Sequence, residues 1–332
     1  MKPQHLLPLA LATLLIGCGE PSPDEALNAT LPKVGLDQLL PQATPNQYCT
    51  TQLDSELLFG LGYQLYDHDQ PELARSCLIM AAPSYDRALC YLAKIAEQDS
   101  TKDSAERDRE AFGYMAYSAR KNDSCAEFGM FQNFTFGMRG QTPDTALGLR
   151  WLERSARHGD TDAQQTLVRL HTNKGNLALA YSWARALDDQ QKIQGLKQKM
   201  SAQQLGEGEQ EYQRLSPQLT SQDSVRQQNR EQNIALYTAG VYQLRPTAFE
   251  GMPAAERHAF MDRALSRVSA LPAFTNRLQL YTYAIIARQA QLRDPQLDIL
   301  QTPQVLALLQ NPDLDLEPTV TQALAILAPS GS

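Results

Sequence analysis

Apolar residues recur at helical spacing along most of the chain. Leu73, Leu78, Leu89, Leu92 and Ile95 mark such stripes, and β-branched runs of the kind strands favour are scarce. One block repeats. Arg154-Ser155-Ala156-Arg157-His158-Gly159-Asp160-Thr161-Asp162-Ala163 begins 37 residues after Tyr117-Ser118-Ala119-Arg120-Lys121-Asn122-Asp123-Ser124-Cys125-Ala126, and Met80-Ala81-Ala82-Pro83-Ser84-Tyr85-Asp86-Arg87-Ala88 begins 37 residues before that. Each copy ends a helix on small residues, turns over polar ones that include Asp, and opens the next helix on a small residue. A lone helix pair cannot cover its apolar face, so such pairs must stack. Ala156 and Ala163 then let neighbouring helices approach, Trp151, Leu152, Leu167 and Trp183 fill the space between pairs, and Gly159 supplies a positive φ at a helix end. Arg154, Arg157 and Asp160 read as solvated turn charges.

The pattern thins after the repeats. Residues 188–232 are rich in Gln, Glu, Lys and Arg, with sparse apolar marks such as Ile193, Leu196, Met200, Leu205, Tyr212 and Leu215, which predicts a polar helical linker. Residues 233–332 return to helical spacing at Ile234, Tyr237, Val241 and Leu244, and Pro246, Pro253, Pro272, Pro295, Pro303, Pro312 and Pro318 cut the rest of the chain into short helices. That predicts a C-terminal helical bundle, with the helix through Leu280–Ile286 at its centre. The repeats themselves occupy residues 47–187, and the expected fold is all-α, an α/α solenoid followed by this helical region.

Composition agrees. Hydrophobic residues are 42% of 332, enough for a folded core, and aromatics are only 7%. Thirty Lys and Arg against 37 Asp and Glu give a net charge of −7 with no basic cluster, which argues against nucleic acid as a partner.

Lys2 followed by the apolar stretch Leu6–Ile16 is too short to span a bilayer but right for an export signal. It runs into Leu15-Ile16-Gly17-Cys18, which resembles the lipobox of bacterial lipoproteins. That resemblance implies a signal peptide over residues 1–17, cleavage before Cys18, and acylation (thioether-linked diacylglycerol and an amide-linked fatty acid such as palmitate) on Cys18. Several acyl chains make a lasting membrane anchor. Gly19 rather than Asp after the lipidated residue implies the periplasmic face of the outer membrane. Residues 18–46, with Pro21, Pro23, Pro32, Pro41 and Pro45, read as a flexible tether behind the anchor.

The block from Leu149 through Trp151, Ala156, Gly159, Asp160 and Ala163 to Leu167 resembles the Sel1-like repeat family, relatives of the tetratricopeptide helix pairs. Asn122 stands where that pattern has Gly, Pro83-Ser84 replaces the turn, and the copy at Ala178–Ala186 keeps its aromatics but loses the Gly turn. The resemblance implies a protein-interaction scaffold in the cell envelope, serving export, assembly or biogenesis. An envelope enzyme or an activator of peptidoglycan synthesis is the alternative. Carbohydrate binding is a third reading, if Tyr63, Tyr66 and Tyr114 line a cleft rather than pack.

Little else in the chain carries chemistry. Cys49, Cys77, Cys90 and Cys125 remain beyond Cys18, and four cysteines allow three pairings. Cys77 and Cys90 lie at equal distances from the Pro83-Ser84 turn, so an antiparallel pair of helices predicts a Cys77–Cys90 bridge, leaving Cys49 with Cys125; buried free thiols are the other reading. His68, His158, His171 and His258 are scattered singly, without metal-ligand spacing, and no phosphate loop, nucleophile elbow or dinucleotide turn is present. No catalytic residue, metal or cofactor is expected. The expected partners are envelope proteins, with the membrane reached through the lipid.

Overall fold

The structure, a computed structural model, describes residues 22–328, and every regular element in that span is helical. The expected signal peptide over residues 1–17 and lipidation of Cys18 lie outside the described residues. Two short helices lead in, α1 (Pro23–Asn28) and α2 (Leu36–Leu39). The repeats come next as α3 (Ser55–Asp67), α4 (Pro71–Ala81), α5 (Arg87–Gln98), α6 (Ser104–Arg120), α7 (Ser124–Phe136), α8 (Thr145–Arg157), α9 (Thr161–Asn173) and α10 (Leu177–Ala186). Successive helices pack, most closely in the pairs α3/α4, α5/α6, α7/α8 and α9/α10. The expected all-α class and its consecutive stacking of helices are what the chain adopts.

A recurring aspartate sets where these helices start. Asp54, Asp103, Asp123, Asp144 and Asp160 each accept a hydrogen bond from the backbone N–H three residues on, satisfying a donor that the first helical turn leaves open. The turns keep one conformation where they differ in residue. Gly159 has φ +91°, and Asn122, standing in its place one repeat earlier, has φ +64°. Asn tolerates the left-handed region better than other non-glycine residues, so the missing glycine costs the repeat little.

The core is continuous from Leu27 to Ala239. Trp151, Ala156 and Ala163 are fully buried in it, with Leu167 and Trp183 nearly so. Two expectations fail at its edges. Residues 22–46 are fastened down rather than a free tether: Leu27 and Leu31 are buried, the Arg120 side chain donates to Val34 O (2.8 Å), and Asn46 Nδ2 donates to Leu73 O (3.1 Å). The prolines shape this segment, but its leucines hold it in the core.

The expected polar linker over residues 188–232 is helical, as its pattern predicts, but it packs into the array rather than standing in solvent. Helices α11 (Gln190–Lys197) and α12 (Ala202–Leu215) continue the array, α12 lying on α10 with Tyr181 Oη donating to Glu209 (2.5 Å). The expected boundary at 232/233 falls inside α13 (Gln222–Leu244), which turns back along the tight turns. Gln222 Nε2 donates to Ala186 O (2.8 Å) near its start, Val225 rests on Gly159, and its second half docks on α3. Ala235 and Ala239 join the first core, while Ile234 and Val241 join a second one built with α14 (Ala254–Ser269), α15 (Arg277–Arg293), α16 (Pro303–Leu309) and α17 (Leu316–Ile326). One helix therefore serves both cores.

The docking of α13 depends on Gly60. A Cβ there would sit 2.2 Å from Ala235 O and 2.8 Å from the Ala239 methyl. Gly60→Ala must force the two backbones apart, and a loss of about 1–3 kcal/mol in denaturant unfolding is expected. Faster amide exchange along residues 233–241 should accompany it; unchanged exchange there would mean that α3 does not hold α13.

The cysteines pair as Cys49–Cys77 and Cys90–Cys125, with Cα–Cα distances of 5.2 and 6.5 Å. The expected Cys77–Cys90 bridge is therefore wrong. It assumed that α4 and α5 form the close pair, whereas α4 turns its cysteine face toward α3 and the segment before it. Cys90 on α5 faces α7 instead.

Candidate functional site

Polar side chains gather in several places. The first is a charge knot between the α6/α7 and α8/α9 turns. Arg154 is wholly buried, unlike the solvated turn charge its position suggests. Its Nε ion-pairs with Glu127 Oε1 at 2.9 Å, and its two terminal nitrogens donate to Asn28 Oδ1 (2.8 Å) and Asn122 Oδ1 (2.6 Å). Glu127, also wholly buried, shares its carboxylate with His158 Nδ1 (2.8 and 2.9 Å). Burial pushes the Glu127 carboxyl up despite the opposing pull of His158 and Arg154. Asp24 on α1 completes the knot, accepting from Arg157 at 2.6 Å and lying 3.9 Å from His158 Nε2. Asp160 is no solvated charge either, since burial carries its carboxyl up to about 6.

A buried carboxylate holding a histidine is half of a nucleophile-activating arrangement. The second histidine nitrogen, however, faces Asp24 rather than a hydroxyl or thiol. The knot binds α1 to α7 and α8.

The second place is a groove of about 500 Å³ where α3 and the Gln47-Tyr48 segment meet the end of α13 and the adjoining turn at Pro246. Leu61, Leu65 and the Tyr242 ring supply its apolar walls. Its polar groups are the amides of Gln47, Gln64, Gln70 and Gln243, with Tyr48 and His68. Gln64 is held by donating to Leu236 O (2.7 Å), and His68 Nδ1 donates to Gln64 O (2.7 Å). No carboxylate lines it. Neutral donors and acceptors beside leucine and tyrosine suit the alternating polar backbone and apolar side chains of a peptide. They offer no acid–base pair.

A smaller recess of about 360 Å³ shares Tyr242 and Pro246 with this groove and ends at Asp54, Phe249 and Arg257. Arg257 donates to Asp54 at 2.5 Å. Burial works against the Asp54 charge, but Arg257 and the Leu57 N–H hold its carboxyl below the ordinary range.

Alongside, His258 on α14 lies 2.5 Å from Glu56 on α3 and 3.3 Å from Glu231 on α13. Burial alone would lower its pKa; the Glu56 hydrogen bond and the charges of Glu56, Glu231 and Asp262 carry it above the ordinary value. A raised histidine stabilises this junction fully below the unfolded value near 6.5, and the contribution is lost as pH rises through the folded value. Stability measured between about pH 5.5 and 8.5 should fall across that window, and His258→Gln should flatten the dependence. An unchanged slope in the variant would assign the dependence to another group.

The remaining sequence candidates do not converge. Tyr114 is buried and donates to Glu110 (2.9 Å), while Tyr63 and Tyr66 pack edge-on against Tyr91 at 5.1 and 5.8 Å, so the three form no aromatic cleft. Among the described residues, one group of possible metal ligands comes together, Cys90, Asp123 and Cys125. The two sulfurs are bonded to each other, and Asp123 caps α7 and ion-pairs with Arg87 at 3.1 Å. A metal would need those thiolates free.

Sequence reasoning missed the groove because Gln64 and Gln243 are unremarkable in sequence and far apart along the chain. The apolar spacing at Tyr237, Val241 and Leu244 marks the helix that carries Tyr242 and Gln243, but Tyr237 and Val241 face the second core and none of the three lines the groove. No protein-family model matches the chain, and no curated protein and no solved structure matches it either.

Proposed function

We propose that this chain is an envelope lipoprotein, anchored through Cys18 on the periplasmic face of the outer membrane, whose stacked helix pairs bind a segment of another envelope protein. The Leu15-Ile16-Gly17-Cys18 motif supports the anchor. Pairing of all four described cysteines within the chain fits an oxidising compartment. A Sel1-like ancestry is supported by the 37-residue spacing and by the left-handed turn kept at Asn122 and Gly159. The observation that carries the binding role is the neutral groove of about 500 Å³ beside α3 and α13.

Cys18 lies only four positions before Ser22, where the described body begins, with three residues between them. That length spans at most ~14 Å, so the lipid would hold the α1 edge, with Asp24 and Arg157, close to the membrane surface. The groove would then meet partners that share that surface, at a raised effective concentration. The alternative of a peptidoglycan enzyme or activator draws no support from the groove, whose lining lacks the paired carboxylates that glycan cleavage uses.

A photoreactive residue at exposed Gln243 tests the binding role. Illumination in the intact envelope should trap one discrete protein, and Cys18→Ala should abolish that adduct and release the chain from the membrane. Adducts to glycan strands, or none from Gln243 while the chain stays anchored, would refute it.

A further inference from the structure

A third recess differs in charge from both the knot and the groove. It lies between α9 and α11, holds about 410 Å³, and has a floor of Val168 and Leu196. Its charged lining is Arg169, Lys192 and Lys199, without a carboxylate, in a chain where 37 acidic residues outnumber 30 basic ones. Lys192 has one acidic neighbour, Asp189, in an exposed pair three residues apart along the chain, and such pairs hold their cation weakly. Arg169 donates to Thr166 Oγ1 at 3.4 Å and has no ion pair among the described residues. Asn173 and Gln165 add neutral amides.

Gly195 is the second observation. It lines the recess from within α11, where glycine weakens a helix relative to alanine. Neither usual reason for a helical glycine applies. A Cβ there would meet nothing within 4 Å, and its φ is not positive. Its effect is to leave the α11 backbone open toward the recess.

We infer that the α9–α11 recess is a second docking site, and that its occupant is an acidic amphipathic segment of a partner protein. Apolar side chains of that segment would lie on Val168 and Leu196, its carboxylates would meet Arg169, Lys192 and Lys199, and its backbone would pass over Gly195. Cations around an apolar-floored recess suit a chain that can enter it better than a flat lipid surface that cannot. The inference rests on the proposed protein-binding role and names the chemistry of one partner.

The test uses the folded protein and a fluorescent helical peptide of about 16 residues, with Leu on one face and Glu on the other. Saturable binding is expected, weakening by about tenfold when Glu is replaced by Gln in the peptide or when the protein carries Arg169→Glu with Lys199→Glu. Binding should also weaken as salt rises toward about 0.5 M. Gly195→Leu should block binding while leaving the thermal unfolding midpoint unchanged or raised, which separates occlusion of the recess from loss of fold. Equal binding of the Gln peptide, full binding by Gly195→Leu, or binding only to phosphatidylglycerol vesicles would overturn the inference. If the peptide fails to bind while the Gln243 adduct persists, this site is wrong and the general binding role stands.

Discussion

Replacing Arg154 by methionine should lower the free energy of unfolding by about 3–5 kcal/mol, because the change takes the guanidinium from a buried carboxylate and leaves it with His158 alone. Arg154 and Glu127 are both inaccessible to solvent, and Arg154 also ties Asn28 of α1 to Asn122 of the α6/α7 turn. Chemical denaturation at neutral pH measures the loss. Two companion results identify its origin. The deficit should shrink as pH falls: burial already raises the Glu127 pKa, and a protonated Glu127 no longer carries the uncompensated charge. Arg154→Met combined with Glu127→Gln should lose less than Arg154→Met alone, since the two residues interact directly. A loss under about 1 kcal/mol would place Arg154 among ordinary solvated surface charges.

Reduction of the two disulfides is the other large perturbation. Their sequence separations are 28 and 35 residues, and closing loops of that length removes denatured-state entropy worth about 3–4 kcal/mol each. Cys49→Ser should loosen the segment before α3 from α4, and Cys125→Ser should loosen α7 from α5. Each single replacement should show its loss in thermal unfolding without reductant, and added reductant should bring the unreplaced protein down by roughly the sum. Peptide mapping without reduction should recover Cys49 joined to Cys77 and Cys90 joined to Cys125. A fragment joining Cys77 to Cys90 would show that α4 and α5 are the tight pair after all.

That pairing marks the limit of what the amino-acid order reveals. The apolar stripes and the regular aspartates make the helices and turns readable, because capping and amphipathicity are local. Which helix a given face meets is not local. Cys77 and Cys90 are symmetric about a turn in sequence, yet α4 and α5 each spend their closest contact on another neighbour. The return of α13 was hidden for a related reason. Its face toward α3 is marked by Ala235 and Ala239, small residues that barely register as apolar and matter because Gly60 lets them come close. Glu127 and Arg154 stand 27 positions apart with nothing in either neighbourhood to announce a buried pair. The groove inherits this difficulty, since its two sides come from α3 and from the end of α13.

The proposed anchor and the observed bridges both call for a chain that leaves the cytoplasm, so one mass measurement weighs them together. Protein taken from its own membrane, unfolded and alkylated without reduction, should weigh as a chain starting at acylated Cys18 with no alkylating groups added at Cys49, Cys77, Cys90 or Cys125. A mass starting at Met1 with those four thiols alkylated would place the protein in a reducing compartment and remove the envelope role.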